Sequence, residues 1–331
     1  MKLSVLIITY KRINQLERCL DSLFGQISLN LGEVLVCVNG DDSQSAKMLA
    51  KKRKKFPGLK YWKKERLSRG AARNNLVEQA SGEIICFLDD DIVLGRDSIE
   101  VLLKATEQYP QAAIFGGPNL CFPGSDNFQI SQSEVLGSFL GSAWMSRRYK
   151  GGKDIFNVDE RCLALCNLAI RRKAFSLDKS IFNENLISCE ENLLLRQMSA
   201  QGLKAVFLSK FIVFHQRRKT YRGLCRQIFQ YGGGRMQAIR IAPERYDFIF
   251  LVPAIFFLYL VLLPLLAEVP KLLLPLAIYF FLIGVVSLKI IFRLKCFKIF
   301  PLILIIFLSV HICYGAGFIF EFLFQKKVTQ K

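Results

Sequence analysis

A chain of 331 residues has room for one sizeable catalytic domain and a smaller second region. Its 52% hydrophobic content is uneven, ordinary up to residue 247 and then concentrated in long apolar runs, so the main boundary falls there. A formal net charge of +19 points to an anionic partner; no nucleic-acid motif accompanies it, so membrane lipids are expected and nucleic acid is not.

The opening, Ser4 to Thr9 (SVLIIT), is a short β-branched run suited to a buried parallel strand. Ile13, Leu16, Cys19, Leu20 and Leu23 then recur at helical spacing. Glu33 to Val38 (EVLVCV) reads as a second strand, closed by Asn39-Gly40-Asp41-Asp42. A helix through Ala46 and Leu49 follows, then a strand near Leu59 to Trp62, a helix from Gly70 to Ala80 and a strand from Glu83 to Leu88. Such alternation implies a doubly wound, mostly parallel sheet, an α/β fold. From Gly116 to about Asp159 the chain is richer in Gly, Pro and Ser and less periodic; regular patterns return at Cys162 to Ile170 and Asn192 to Ala200. Ten cysteines with no CxxC pair, and an N-terminal apolar stretch too short for a signal peptide, fit a reducing cytosol.

Basic residues cluster twice, at Lys47 to Arg73 and at Lys204 to Arg245, where Glu244 is the only acid. The second cluster abuts the first apolar run, and each such charge is worth about 1 kcal/mol beside an anionic leaflet. Tyr221, Leu224, Ile228, Tyr231 and Ile239 fall near one helical face, which suits a membrane interface, with Gly232, Gly233 and Gly234 expected to interrupt or hinge the helix. Phe248 to Ala267, Leu272 to Leu288 and Ile299 to Phe320 are each long enough to span a bilayer. Lys289, Arg293, Lys295 and Lys298 between the last two runs put that loop, and with it the N-terminal domain, on the cytosolic side. Lys326, Lys327 and Lys331 pull the other way.

The strongest chemical signal is Phe87-Leu88-Asp89-Asp90-Asp91, directly after an apolar strand. Carboxylates at i and i+2 can converge on one hard cation, Mg²⁺ or Mn²⁺, of the kind that also takes substrate phosphates. A solvated turn or a helix cap is the structural alternative. Upstream lie Ser68-Arg69-Gly70-Ala71-Ala72-Arg73-Asn74-Asn75 and Ala80-Ser81-Gly82-Glu83. With the SVLIITYKR opening, this combination resembles the inverting nucleotide-sugar transferases of glycosyltransferase family 2 over most of residues 3–240.

That resemblance implies a GT-A-type, Rossmann-like domain binding a nucleoside-diphosphate sugar donor at the ends of its strands. Thr9, Tyr10 and Arg12 would border the base and ribose, Arg73 and Asp90 would lie beside the nucleotide, and Asp89 and Asp91 would hold the metal. The family usually has an acid after the second strand to grip the base. Here Val38 or Asn39 stands at that point, and the contact falls to Asn39, Asp41 or Asp42. Cys189-Glu190-Glu191-Asn192, continuing to Arg196 and Gly202, is similar to the family's G-E-D-x-E-L-x-x-R…G segment. The catalytic base role then moves to Glu191, with Glu190 as a helix cap. Asn167, in Cys166-Asn167-Leu168-Ala169-Ile170-Arg171-Arg172, would face the site from an acceptor-side strand, and His215 would stand beside the metal or diphosphate; an ordinary core strand with a basic edge and a structural histidine are the alternatives. Tyr231-Gly-Gly-Gly-Arg235 is similar to a stretch of membrane-bound relatives, and the Q-x-x-R-W string of processive synthases does not occur.

The expected organisation is a cytosolic transferase domain over 1–220, a basic amphipathic interfacial segment over 221–247, a transmembrane region of about three helices over 248–324 and a tail over 325–331. The expected activity is inverting, metal-dependent transfer of a sugar to a hydroxyl acceptor, free or lipid-linked, at the cytosolic membrane face, in glycolipid, polysaccharide or glycan assembly. A processive polysaccharide synthase and a non-catalytic nucleotide-sugar-binding membrane protein are the alternatives.

Overall fold

The run LSVLIIT forms a strand, β1 (Leu3–Thr9), buried along nearly its whole length. Its β-branched side chains pack well on a pleated surface covered on both faces. In this computed structural model, which describes residues 2–26, 32–175, 180–266 and 269–324, β1 is followed by α1 (Ile13–Phe24), β2 (Gly32–Asn39), α2 (Ser43–Arg53), β3 (Leu59–Lys64), α3 (Arg69–Gln79) and β4 (Ile84–Asp89). Next come β5 (Ile92–Leu94), α4 (Ser98–Gln108), β6 (Ala112–Gly116), β7 (Asn119–Cys121), α5 (Asn127–Leu136), α6 (Phe139–Ser142), β8 (Ile155–Phe156) and β9 (Asn167–Arg171). The chain continues through α7 (Glu190–Ala200), β10 (Lys204–Phe207), β11 (Val213–His215), α8 (Tyr221–Ile241), α9 (Phe248–Leu262), α10 (Leu274–Leu294) and α11 (Phe300–Phe324).

Two compact units divide the chain. The first comprises Met1–Pro123, Arg147–Asn185 and Glu190–Gln216. Its main sheet has eight strands in the order β3-β2-β1-β4-β9-β6-β10-β8. The strands run parallel except β9, which is antiparallel to β4 and β6, and β8, antiparallel to β10. Alternate residues of each strand feed two cores. Val5, Ile7, Val34, Val36, Ile84 and Cys86 pack with Leu16 and Leu20 of α1, Leu49 of α2 and Leu102 of α4. Leu6, Leu35, Ile85 and Phe87 pack with Leu76 and Val77 of α3 and with Leu194 and Met198 of α7. Helices therefore cover both faces, and the carboxyl ends of β1, β2 and β4 open side by side, the usual place for a ligand in such a sheet. A smaller sheet, β5-β11-β7, pairs His215 with Ile92.

The second unit comprises Gly124–Ser146, Leu186–Cys189 and Arg217–Lys331. Within it, the segments Arg245–Leu265, Pro270–Leu294 and Phe297–Phe324 are long and apolar enough to cross a membrane, with mean hydropathies of 2.7, 2.3 and 2.3. Ala267, the last residue of the first apolar run, and the tail 325–331 with its lysines lie outside the described residues. Tyr279 Oη lies 2.9 Å from His311 Nδ1, and His311 Nε2 lies 2.9 Å from the Leu140 carbonyl, so the polar atoms of His311 are used between helices.

The glycine triplet corrects one expectation: α8 runs unbroken from Tyr221 to Ile241 through Gly232, Gly233 and Gly234. The glycines are buried where backbones meet. A Cβ on Gly232 would collide with the Tyr314 carbonyl of α11, and one on Gly317 with the Phe229 carbonyl of α8. Close helix approach through small residues recovers in packing what glycine loses in helix propensity.

Candidate active site

Asp89 ends β4 and Asp91 precedes β5, so the chain turns through three carboxylates within one short link. Asp90 is the buried one, 4% exposed. Thr9 Oγ1 donates to its Oδ2 at 2.8 Å, and Arg12 Nη1 donates to its Oδ1 at 3.0 Å. Arg12 Nη1 also reaches Asp91 Oδ2 at 2.8 Å. Burial, and then the charge of Asp91, push the Asp90 carboxyl up to about 7. Thr9 and Arg12 thus brace the acidic turn from the end of β1.

β11 brings in a residue far away in sequence. Its pairing with β5, reinforced by Gln216 N–H donating to the Asp91 carbonyl at 3.0 Å, sets His215 Nε2 3.1 Å from Asp91 Oδ1. Ligand atoms of Asp89, Asp91 and His215 all lie within 4.8 Å of one another. Two carboxylate oxygens and one imidazole nitrogen form a donor set that fits Mg²⁺ or Mn²⁺. Sequence reasoning had separated the aspartates as metal ligands from a histidine beside the metal or diphosphate; the geometry joins all three.

On the other side of Asp89, Arg73 Nη2 stands 3.9 Å from Asp89 Oδ1 while Nη1 bonds Glu190 Oε1. Glu190 is buried in the first turn of α7. It was expected as a helix cap, and its carboxylate is in addition tied to the arginine that faces the acidic turn. Glu191 is left with more freedom: its side chain is 14% exposed, and Arg148 Nη1 lies 3.8 Å from its Oε1. Burial, then repulsion from Glu190, raise the Glu191 carboxyl above its ordinary value, with Arg148 and then Arg73 pulling it back.

Sequence reasoning missed Arg148. It lies in the least periodic stretch, where the dipeptide Arg147-Arg148 is the only cue. Its Nε donates to the Arg161 carbonyl at 2.9 Å and its Nη2 to the Glu160 carbonyl. Glu160 in turn pairs with Arg196 of α7, Oε1 to Nε at 3.1 Å, and both side chains are 1% exposed. The arginine of the α7 motif therefore locks that helix to the loop whose carbonyls hold Arg148.

At the end of β2 the candidates for base contact separate. Asn39 exchanges two hydrogen bonds with Leu67, Nδ2 to its carbonyl at 3.0 Å and its N–H to Oδ1 at 2.8 Å. Asp42 caps α2 through the Ser45 N–H at 3.1 Å and accepts from the Lys11 N–H at 2.6 Å. Asp41 is the exposed one, paired with Lys63 at 2.7 Å. Tyr10 packs against Gly40, and the Arg66 guanidinium stacks 3.8 Å from its ring centroid, a second residue the sequence did not single out.

Asn167 is a correction. It was expected to face the site, but it is fully buried, and its Nδ2 donates to the Pro118 and Phe211 carbonyls at 3.3 and 2.9 Å. A side chain spent on two backbone carbonyls holds β6, β7 and the chain before β11 in place; it is not offered to a ligand.

The profile described as "Glycosyl transferase family 2" matches residues 4–177. An uncharacterized glycosyltransferase of Rickettsia conorii is 36% identical over 109 residues, 32% of this chain and 17% of that protein. The GalNAc(5)-diNAcBac-PP-undecaprenol beta-1,3-glucosyltransferase of Campylobacter jejuni is 32% identical over 118 residues, 35% of this chain and 37% of that protein. The matched stretch thus spans well under half of these curated relatives. Among solved structures, the mannosyltransferase PcManGT of Pyrobaculum calidifontis, in complex with GDP-Man and Mn²⁺, superposes with a TM-score of 0.68 over 98% of this chain and 88% of that one, at 14% identity. At that identity the likeness speaks for fold alone: a GT-A-type, Rossmann-like, mostly parallel sheet with apolar helices at the C-terminal end.

Proposed function

The chain belongs to glycosyl transferase family 2, and from that premise we propose that it is a membrane-anchored, metal-dependent, inverting glycosyltransferase. It takes a nucleoside-diphosphate sugar from the cytosol and transfers the sugar to a hydroxyl acceptor at the cytosolic membrane face. The observation that carries this reading is the convergence of Asp89, Asp91 and His215 within 4.8 Å beside Arg12 and Arg73. Those three side chains would hold a divalent cation, which would supply positive charge to the diphosphate leaving group.

The chain's own residues account for the rest. Arg12 and Arg73 put positive charge at the acidic turn, where the leaving diphosphate would otherwise be repelled. Tyr10, stacked by Arg66, offers an aromatic edge beside the β2 turn, and Asp41 is the accessible acid for ribose hydroxyls or base N–H groups. Glu191 takes the acceptor hydroxyl's proton, which leaves the sugar bonded to the acceptor oxygen with inverted configuration. Its raised pKa brings it nearer the pH at which it must work.

Because the base must be ionised, turnover falls as pH drops through the Glu191 pKa, and this acid limb sits above the ordinary glutamate value of 4.5. Arg148→Gln removes a cation that lowers that pKa, so the limb moves to higher pH; a profile that stays in place or moves to lower pH would argue against Glu191 as the titrating base.

The Campylobacter relative acts on an undecaprenol-diphosphate-linked glycan, and three apolar helical segments here would keep a transferase domain at lipid-borne acceptors. We place residues 1–247 on the cytosolic side and the first two segments across the bilayer, with α11, which packs along α8, at the cytosolic membrane face, because charged nucleotide sugars are made in the cytosol and Lys289, Arg293, Lys295 and Lys298 favour that side. A cysteine replacing Arg293 should resist a membrane-impermeant thiol reagent added outside intact cells; labelling there reverses the topology.

The deciding experiment is a screen of UDP- and GDP-sugars, with polyprenyl-diphosphate glycans and diacylglycerol as acceptors, read as Mn²⁺-dependent release of nucleoside diphosphate. Binding without release supports a non-catalytic role, and long products support a processive synthase.

A further inference from the structure

Glu160 is buried, and both its side chain and its main chain reach the surroundings of Glu191 inside the first unit. Its Oε1 accepts from Arg196 Nε at 3.1 Å. Its carbonyl accepts from Asn192 Nδ2 at 3.2 Å and also from Arg148 Nη2. A carbonyl oxygen has two lone pairs and can serve both donors. Asn192 and Arg196 are four residues apart, so they share one face of α7 on successive turns. Held at both points, the first turn of α7 can neither rotate nor slide against the loop 159–161. Glu191 projects from that turn, five residues before Arg196 and therefore from a different face.

The same loop fixes the cation beside the proposed base. Arg148 Nε and Nη2 are spent on the Arg161 and Glu160 carbonyls, and Nη1 stands 3.8 Å from Glu191 Oε1. That distance gives attraction without a hydrogen bond, so the carboxylate keeps its lone pairs for an acceptor proton. The other charges facing Glu191 are Glu190 on α7 itself and Arg73 on α3. A buried ion pair is a poor means of stabilisation alone, because apolar residues of similar volume often do as well. What Glu160 and Arg196 add is register: they tie the helix that carries Glu191 to the loop that holds Arg148.

We propose that Glu160 and Arg196 are positioning residues for the transfer reaction, which hold Glu191 and Arg148 at a fixed separation. This rests on Glu191 being the base.

The test uses the full chain in lipid nanodiscs with the donor–acceptor pair found by the screen, and expresses turnover per nucleotide-binding site titrated with UDP or GDP. Glu160→Met combined with Arg196→Met replaces the ion pair by apolar side chains. Nucleotide Kd should stay at the wild-type value, since Arg12, Asp91 and His215 are placed by the ends of β1, β4 and β11. Turnover per site should fall roughly ten- to a hundredfold, the effect of a catalytic group displaced by up to an ångström. The acid limb should move to higher pH, as in Arg148→Gln, because a cation that drifts from a carboxylate lowers its pKa less. In an Arg148→Gln background the same two substitutions should move the limb no further. A limb that stays in place or moves to lower pH overturns the proposal. So does wild-type turnover, or a loss of binding sites with normal turnover at those that remain. Should the double variant fail to fold, Arg196→Lys decides by the same readouts, because lysine keeps the charge without the planar fork. Glu191→Gln is run alongside. Wild-type turnover in that variant overturns the base assignment itself, whereas loss there with wild-type behaviour in the double variant overturns only the positioning.

Discussion

Asp91→Ala is expected to cut turnover by about 10²–10³-fold and to weaken donor binding, equivalent to several kcal/mol of lost charge stabilisation. The carboxylate it removes is central to the acidic turn: one oxygen lies 3.1 Å from His215 Nε2 and the other 2.8 Å from Arg12 Nη1. Without it, Asp89 and His215 are too few ligands to hold a hard cation well, and Arg12 is left with Asp90 alone. Asp91→Asn keeps the shape but not the charge and should fall nearly as far. The same reasoning predicts that EDTA abolishes turnover and that added Mg²⁺ or Mn²⁺ restores it. Full turnover in metal-free buffer would sink the metal assignment.

Glu191→Gln should leave donor binding almost intact and slow transfer by roughly 10²–10⁴-fold, the usual worth of a positioned general base. The substitution keeps size and hydrogen-bonding reach, so Arg148 retains a partner at 3.8 Å, while the group can no longer accept a proton. The proposed donor side, Asp89, Asp91, His215 and Arg12, is untouched. A split between kcat and donor KM, measured against Asp91→Ala in the same assay, separates the two roles. Equal loss of donor affinity in both variants would mean that Glu191 serves the donor, and the base would have to be sought elsewhere.

Much of the architecture was legible without coordinates. The runs SVLIIT, EVLVCV and EIICFL read as strands of a mostly parallel sheet because continuous β-branched and apolar stretches suit strands buried on both faces. The apolar segments after residue 247 were legible because spanning a bilayer needs only length and hydropathy, both properties of a single stretch. Asp89 and Asp91 stood out because alternate residues at a strand end share a local geometry.

What the tertiary structure alone decided depends on side chains that meet across the chain. His215 joins the aspartates only because β11 pairs with β5 in one register, and a shift by one residue would turn its ring to the other face. Asn39, Asp41 and Asp42 are adjacent and chemically alike, yet Leu67, Lys63 and the Ser45 N–H give them different duties. Asn167 looked like a ligand-facing amide until the Pro118 and Phe211 carbonyls claimed it. The glycines of α8 looked like a hinge because propensity counts a residue's own backbone freedom, whereas their helix is held by the close passage of α11. Periodicity and composition report what a segment can form and which face it buries. Which partner a polar side chain finds is fixed by strand register and helix packing, and these depend on residues distant in the sequence.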